Sequence, residues 1–266
     1  MLQYIHVFGI SINTYKLFFY IALATVPIVL FALRKTFGLT KEHTMILSGF
    51  TLAFGLVSAW LTGVLKQVML GWASGGVYHD DEILRNYGIP IFLPLFLLLY
   101  CLIWRHDFRK LSDYLAPCVY SVMTFVKIGC TLWGCCYGEE SAHGIWNEML
   151  GTRTFPVQLL DAVTSALILI ACLWMILKTE LKGKGYIYPI SGILFALTKG
   201  FWEFFRVHES VYERSYLGTG FTLWQYWLLV LLIGCIVWLV FLKRESPQSV
   251  VKAPARKGSK KKTTKR

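Results

Sequence analysis

Residues 125–138 read FVKIGCTLWGCCYG and place one lysine, three thiols and three glycines at the end of an apolar stretch. Lipid offers such groups no water, and a charge at the bilayer centre costs roughly 2.5–3.5 kcal/mol on insertion scales, so Lys127 must have a partner or a task. A second constellation lies in LFALTKGFWEFFR, where Lys199, Glu203 and Arg206 recur at i, i+4 and i+7 and share one helical face. Pairing of Lys199 with Glu203 lowers the insertion cost of both, and Arg206 is placed to snorkel to the interface. Lys127 and Lys199 bring cations from two separate helices, which favours a pocket for an anionic lipid headgroup over a purely structural ion pair. In TFPVQLLDAV, Pro156 suits a first helical turn, and Gln158 and Asp161 share a face at i, i+3. Gln225, in FTLWQYW, reads as an interhelical hydrogen-bonding group.

Three chemistries are open to Cys130, Cys135 and Cys136: metal binding, thiol–disulfide chemistry, or simple packing. Zinc sites usually draw four ligands in pairs such as C-x2-C. The spacing here is C-x4-C-C, and His143, the nearest histidine, does not complete a set, so no metal is expected. A bridge between the adjacent Cys135 and Cys136 would be strained, so a disulfide would join Cys130 to one of them, on an oxidising outer face. The other cysteines, Cys101, Cys118, Cys172 and Cys235, stand singly in apolar runs and read as small hydrophobes.

The elements that must position these groups are membrane helices. The chain has 266 residues, 56% hydrophobic, with mean hydropathy +0.54, more apolar surface than one soluble core of this size can bury. A hydrocarbon core of about 30 Å needs roughly 20 helical residues. Seven candidate spans fall at about 14–33, 45–65, 89–104, 114–133, 157–177, 186–205 and 222–242. No cleavable leader is read in residues 1–16. Lys and Arg concentrate in the first, third and fifth loops and in the C-terminal stretch, which predicts an N-terminus outside and a C-terminus in the cytoplasm. The net charge of +12 is not a nucleic-acid signal. The last 24 residues hold ten Lys/Arg against one Glu and almost no large apolar side chain. Residues 243–266 therefore read as a disordered basic cytoplasmic tail near anionic lipid. Residues 1–242 form an all-α integral membrane domain with a polar cavity. The loop at about 66–88 reads as an outer cap.

Taken together, these motifs resemble the prolipoprotein diacylglyceryl transferase family over most of residues 10–240. Lys127-Ile128-Gly129-Cys130 with Gly134 and Gly138 stands where the family has Arg-Ile-Gly-Asn and a glycine turn. Phe155-Pro156-Val157-Gln158-Leu159 matches its Pro-x-Gln-Leu helix start. Lys199 before Glu203-Phe204-Phe205-Arg206 matches an arginine followed by Glu-Phe-Phe-Arg, and Tyr15 and Gln225 match an early Tyr and a late Gln. Lysines replace both core arginines, cysteines replace the Asn and the acidic residue of the turn, and the family's His-Gly-Gly is absent, with Tyr87-Gly88-Ile89-Pro90 as the nearest text. The resemblance implies a bacterial inner-membrane enzyme that moves the diacylglyceryl unit of phosphatidylglycerol to the lipobox cysteine of a prolipoprotein, without a cofactor. It implies Lys127, Lys199 and Glu203 as catalytic residues, and Tyr15, Cys130, Gly138, Gln158 and Arg206 as substrate-binding ones. The substitutions leave open a divergent or non-catalytic lipid-binding protein, or a membrane thiol-redox protein using Cys130, Cys135 and Cys136.

Overall fold

The structure, a computed structural model, describes residues 2–7, 10–77, 85–208 and 211–245. Eight helices run in chain order: α1 (Thr14–Leu33), α2 (Lys41–Ala73), α3 (Ile89–Trp104), α4 (Phe108–Trp133), α5 (Val157–Lys178), α6 (Ile187–Trp202), α7 (Val211–Arg214) and α8 (Leu223–Glu245). Two antiparallel hairpins accompany them: β1 (Tyr4–Val7) with β2 (Ile10–Asn13), and β3 (Glu140–Asn147) with β4 (Thr152–Thr154). Among the described residues six helical segments are long and apolar enough to cross a membrane, and the chain is a multi-pass membrane protein. The seventh expected span is the shorter α6, of 16 residues, continued by a 3-10 turn at Glu203–Phe205.

Two boundaries differ from expectation. Helix α2 has 33 residues and does not stop at 65, so Lys66 is a buried helical residue and not part of a loop. Helix α8 continues through Glu245, so residues 243–245 are helical, and the rest of the expected tail lies outside the described residues, as does the stretch 78–84 of the expected outer cap.

Helix α4 is the centre of the bundle. Of its most apolar stretch 72% is buried, against 22% for α1 and for α8. Its polar residues explain this, because Ser112, Asp113, Ser121, Thr124 and Lys127 are satisfied only against protein. Helices α1 and α5 flank it, and α6 packs on α8. Gly129 allows the close approach of α1: a Cβ there would meet the Phe18 Cβ at 3.0 Å. Thr25 Oγ1 and Ser121 Oγ, 3.0 Å apart, bond across the same seam.

The alternating helices sort the loops to two ends. At one end Asp113 accepts backbone hydrogen bonds from Gly185 (2.8 Å) and Ile187 (2.9 Å), and His43 stacks near His106 with ring centroids 4.5 Å apart. This end collects the basic loops. The other end gathers the starts of α1, α3, α5 and α8 with the finishes of α2, α4 and α6, and it holds every residue singled out for chemistry. A three-way backbone tie organises it. Gly138 N donates to Phe155 O (3.0 Å), Glu139 N to Phe205 O (3.0 Å), and Val207 N to Tyr137 O (3.2 Å). The turn after α4 is thereby stitched to the approach to α5 and to the segment after α6. Leu70, Tyr216 and Leu223 form a small apolar cluster that seats the end of α2 on the loop before α8.

Candidate functional site

Asp161 is the electrostatic hub. It is buried one turn inside α5, and its Oδ2 lies 2.5 Å from Lys199 Nζ of α6 and 3.4 Å from Lys127 Nζ of α4. Lys199 also approaches Glu203 Oε2 at 3.3 Å, the i, i+4 pair expected from the spacing. Glu203 in turn faces Arg206 Nη1 and His208 Nε2, each at 3.6 Å. All four of the lysine and carboxylate side chains are at most 5% exposed. Buried charges at that level persist only when compensated by one another.

Tyr87, from the 3-10 turn Asn86–Gly88 that leads into α3, stands inside this ring of charge. Its ring centroid is 5.2 Å from Lys127 Nζ, 5.0 Å from Lys199 Nζ and 5.6 Å from Arg206 Cζ, all within cation–π range. Its hydroxyl accepts from Lys127 (3.4 Å) and from Arg206, and Trp224 covers its other side at 4.8 Å. Among these five charged groups cations outnumber carboxylates three to two, so the cluster is suited to hold an added anion. Burial, then the nearby Arg206 charge, lowers the His208 imidazole to about 4, so His208 is neutral at physiological pH and adds no charge.

Two cavities meet at this cluster. The smaller is lined by Tyr87, Lys127, Asp161 and Lys199 together with Ser165 and Phe195. The larger, about 1140 Å³, runs between α1, α2 and α4, with Tyr15, Lys127, Cys130, Arg206 and Trp224 on its walls and apolar residues such as Phe19, Leu23, Leu56 and Leu93 beyond them. A charged floor and a long apolar wall match the two halves of a phospholipid. A second buried ion pair, Lys66 with Glu213 of α7, also borders this cavity.

The glycine turn places the thiols. Gly134 ends α4 in the left-handed region (φ 93°), and Cys136 takes the same region (φ 60°) without being glycine. The Sγ atoms of Cys130, Cys135 and Cys136 lie within 4.8 Å of one another on the wall of the larger cavity, and no disulfide joins them. Asn147, fully buried, donates to Gly134 O at 3.0 Å and holds the turn from β3.

Of the residues chosen from sequence, Lys127, Lys199, Glu203 and Arg206 come together in one cluster, and Tyr15 and Cys130 line the same cavity. Gln158 is fully buried beside Asp161, with neither amide atom hydrogen-bonded, and Asp161 Oδ1 is likewise unbonded. Gly138 lies in the backbone tie, not on either cavity wall: a Cβ there would sit 2.6 Å from Phe205 O and 2.7 Å from Phe155 O. Gln225 bonds across to Gly200 O at 3.4 Å, as an interhelical glutamine should. Sequence reasoning placed Asp161 on the face of Gln158 but missed its bridging position, and it missed Tyr87, Lys66, Glu213 and His208. The signal for Lys66 was present, since the apolar run continues past it through Val68, Met69 and Leu70.

Comparison with known proteins identifies a family. A family model described as prolipoprotein diacylglyceryl transferase matches residues 3–241. A phosphatidylglycerol–prolipoprotein diacylglyceryl transferase of Clostridium tetani is 25% identical over 215 residues, covering 75% of this chain and 82% of the relative. A second such transferase of Clostridium perfringens is 24% identical over 215 residues, covering 75% and 81%.

Proposed function

The chain belongs to the prolipoprotein diacylglyceryl transferase family, and from that premise we propose that it transfers the diacylglyceryl group of phosphatidylglycerol to the lipobox cysteine thiol of prolipoproteins. The observation that carries this reading is the ring of Lys127, Lys199 and Arg206 around Tyr87 at the foot of an apolar-walled cavity. The acyl chains lie along the apolar wall, and the phosphate meets Lys127 and Arg206. Charge builds on that phosphate as its ester bond to the glyceryl carbon breaks, and preorganised cations stabilise it most at that moment. Lys199, clamped by Asp161 and Glu203, fixes the field from behind Tyr87. Lysine presents a compact charge without the planar fork of arginine, so at the phosphate Arg206 brings the fork and Lys127 a compact charge. Gln158 lies fully buried beside Asp161, behind the cavity walls, and backs the charged cluster without lining the lipid's place. The site opens on the outer face of the membrane, where exported acceptors arrive.

The test is purified protein in phosphatidylglycerol micelles with a lipobox peptide, read by mass spectrometry of the peptide. A diacylglyceryl mass gain is expected. Lys127→Ala should cut its rate by about 10²–10³-fold, the usual loss for one transition-state charge contact. No gain from folded protein, beside an active family member, would reject the reading.

A further inference from the structure

The three thiols of the glycine turn are spaced as a metal ion needs them. Zinc–sulfur bonds of about 2.3 Å at tetrahedral angles set sulfurs ~3.8 Å apart. The sulfurs of Cys130, Cys135 and Cys136 are already within 4.8 Å of one another, so closure takes about 1 Å or less. The turn holds this arrangement against its own preference. Cys136 keeps a left-handed backbone although it carries a Cβ, and strain of that kind concentrates at functional sites. Among the described residues no His, Asp or Glu joins the three sulfurs, and His143 is exposed on β3. The C-x4-C-C spacing is wrong for a closed four-ligand site. It suits the other class, in which three protein ligands leave one position open for water or substrate. That position faces the large cavity, since all three cysteines line it. Lys127 lines the same cavity as the three cysteines and offsets the extra negative charge that three thiolates leave on a divalent ion.

We propose that Cys130, Cys135 and Cys136 bind a zinc ion whose open position takes the acceptor cysteine thiol and presents it as a thiolate for alkylation. This rests on the transfer reading above and deepens it. A free thiol has a pKa of about 8.5 and is mostly protonated at neutral pH, whereas a thiol on zinc is deprotonated outright. The acceptor S–H releases its proton to solvent as sulfur binds the metal. The sulfur pair then attacks the glyceryl carbon, the C–S bond forms as the C–O bond to phosphate breaks, and glycerol phosphate leaves with that electron pair. Nothing is oxidised or reduced. Lys127 faces both the thiolate and the departing phosphate.

The experiment uses full-length protein in micelles, reduced, stripped of metal and titrated with Co²⁺ as a spectroscopic stand-in for zinc. A sulfur-to-cobalt charge-transfer band saturating at one ion per chain is expected, displaced by Zn²⁺, weakened in Cys130→Ser, Cys135→Ser and Cys136→Ser, and unchanged in Cys172→Ser. Adding a lipobox peptide should alter the band, and the same peptide with serine for cysteine should not. Restoring zinc to stripped wild-type protein should raise peptide alkylation about 10²-fold or more, the contribution of an activated nucleophile. Using wild-type protein keeps this arm independent of any variant that fails to fold. Absence of the band, or a band indifferent to the thiol peptide, overturns the proposal. Equal alkylation with and without zinc also overturns it, while leaving the transferase reading standing. A thiol-responsive band without alkylation from phosphatidylglycerol supports the metal site and rejects that lipid as donor.

Discussion

At the scale of single residues, Asp161 is the group on which the most charge depends. Removing its charge leaves Lys127 and Lys199 buried with only Glu203 to share, and an uncompensated buried ion typically costs about 3–5 kcal/mol. Asp161→Asn should therefore lower the thermal midpoint in micelles as well as the transfer rate, whereas Val163→Ala, on the exposed face of α5, should leave both near wild type. His208 gives a pH signature. Its folded value, about 4, lies below the ordinary 6.5, so the unfolded chain takes up a proton that the folded chain refuses. Stability conferred by neutral His208 is complete above about pH 6.5 and falls as pH drops towards 4. Thermal midpoints measured across that range should decline in wild type and flatten in His208→Gln. The sequence showed Lys199, Glu203 and Arg206 as one face because they share a helix. It could not show that Asp161 bridges two lysines or that Tyr87 stands among three cations, because those contacts join α5, α4, α6 and the turn before α3, and no local spacing encodes them.

At the scale of elements, the backbone tie through Gly138 sets where Arg206 can be. The glycine is needed for space: carbonyls of Phe205 and Phe155 occupy both sides of the missing Cβ. Gly138→Ala must push those strands apart, and overpacking of this kind costs about 1–3 kcal/mol. The expected outcome is a transfer rate lost more than the thermal midpoint, since Arg206, bridged directly to Gly138, moves with the strand. A rate equal to wild type would show that the tie does not position the arginine. The expected boundaries at 14 and 133 coincide with an Asn13 side chain that caps α1 through Lys16 N at 3.0 Å and with the left-handed Gly134 that ends α4. The end of α2 was misread at Lys66: a charge marks a boundary by itself, although the apolar run continues past it to Leu70. The two hairpins were missed for a similar reason: both are short and pair across turns without strong alternation.

At the scale of the whole molecule, hydropathy and loop charge gave the spans, and their alternation explains why all the chemistry gathers at one end. Orientation across the membrane is testable directly. Arg153→Cys and Lys182→Cys put exposed thiols at opposite ends of the bundle. With N-terminus outside, an impermeable maleimide should label Arg153→Cys in intact cells, above the background of the parent protein, and Lys182→Cys only after permeabilisation; the reverse pattern would invert the topology and move the site to the cytoplasmic face.

The length of α2 has a consequence for how substrates meet. Gly88, at the threshold of α3, abuts Thr62 of α2, yet α2 continues to Ala73, a further eleven residues or about 16 Å of rise. At 33 residues it is about 50 Å long, and no ordinary tilt fits that into a hydrocarbon slab of about 30 Å. Part of it must therefore lie beyond the hydrocarbon, and its last three turns carry Trp72, 74% exposed, and Leu70, packed against Tyr216 and Leu223. Under the proposed transfer, an acceptor coming from water would meet the end of α2 that borders Tyr216 and Leu223, and the phospholipid would enter from the leaflet. Two such routes into one pocket would let either substrate bind first.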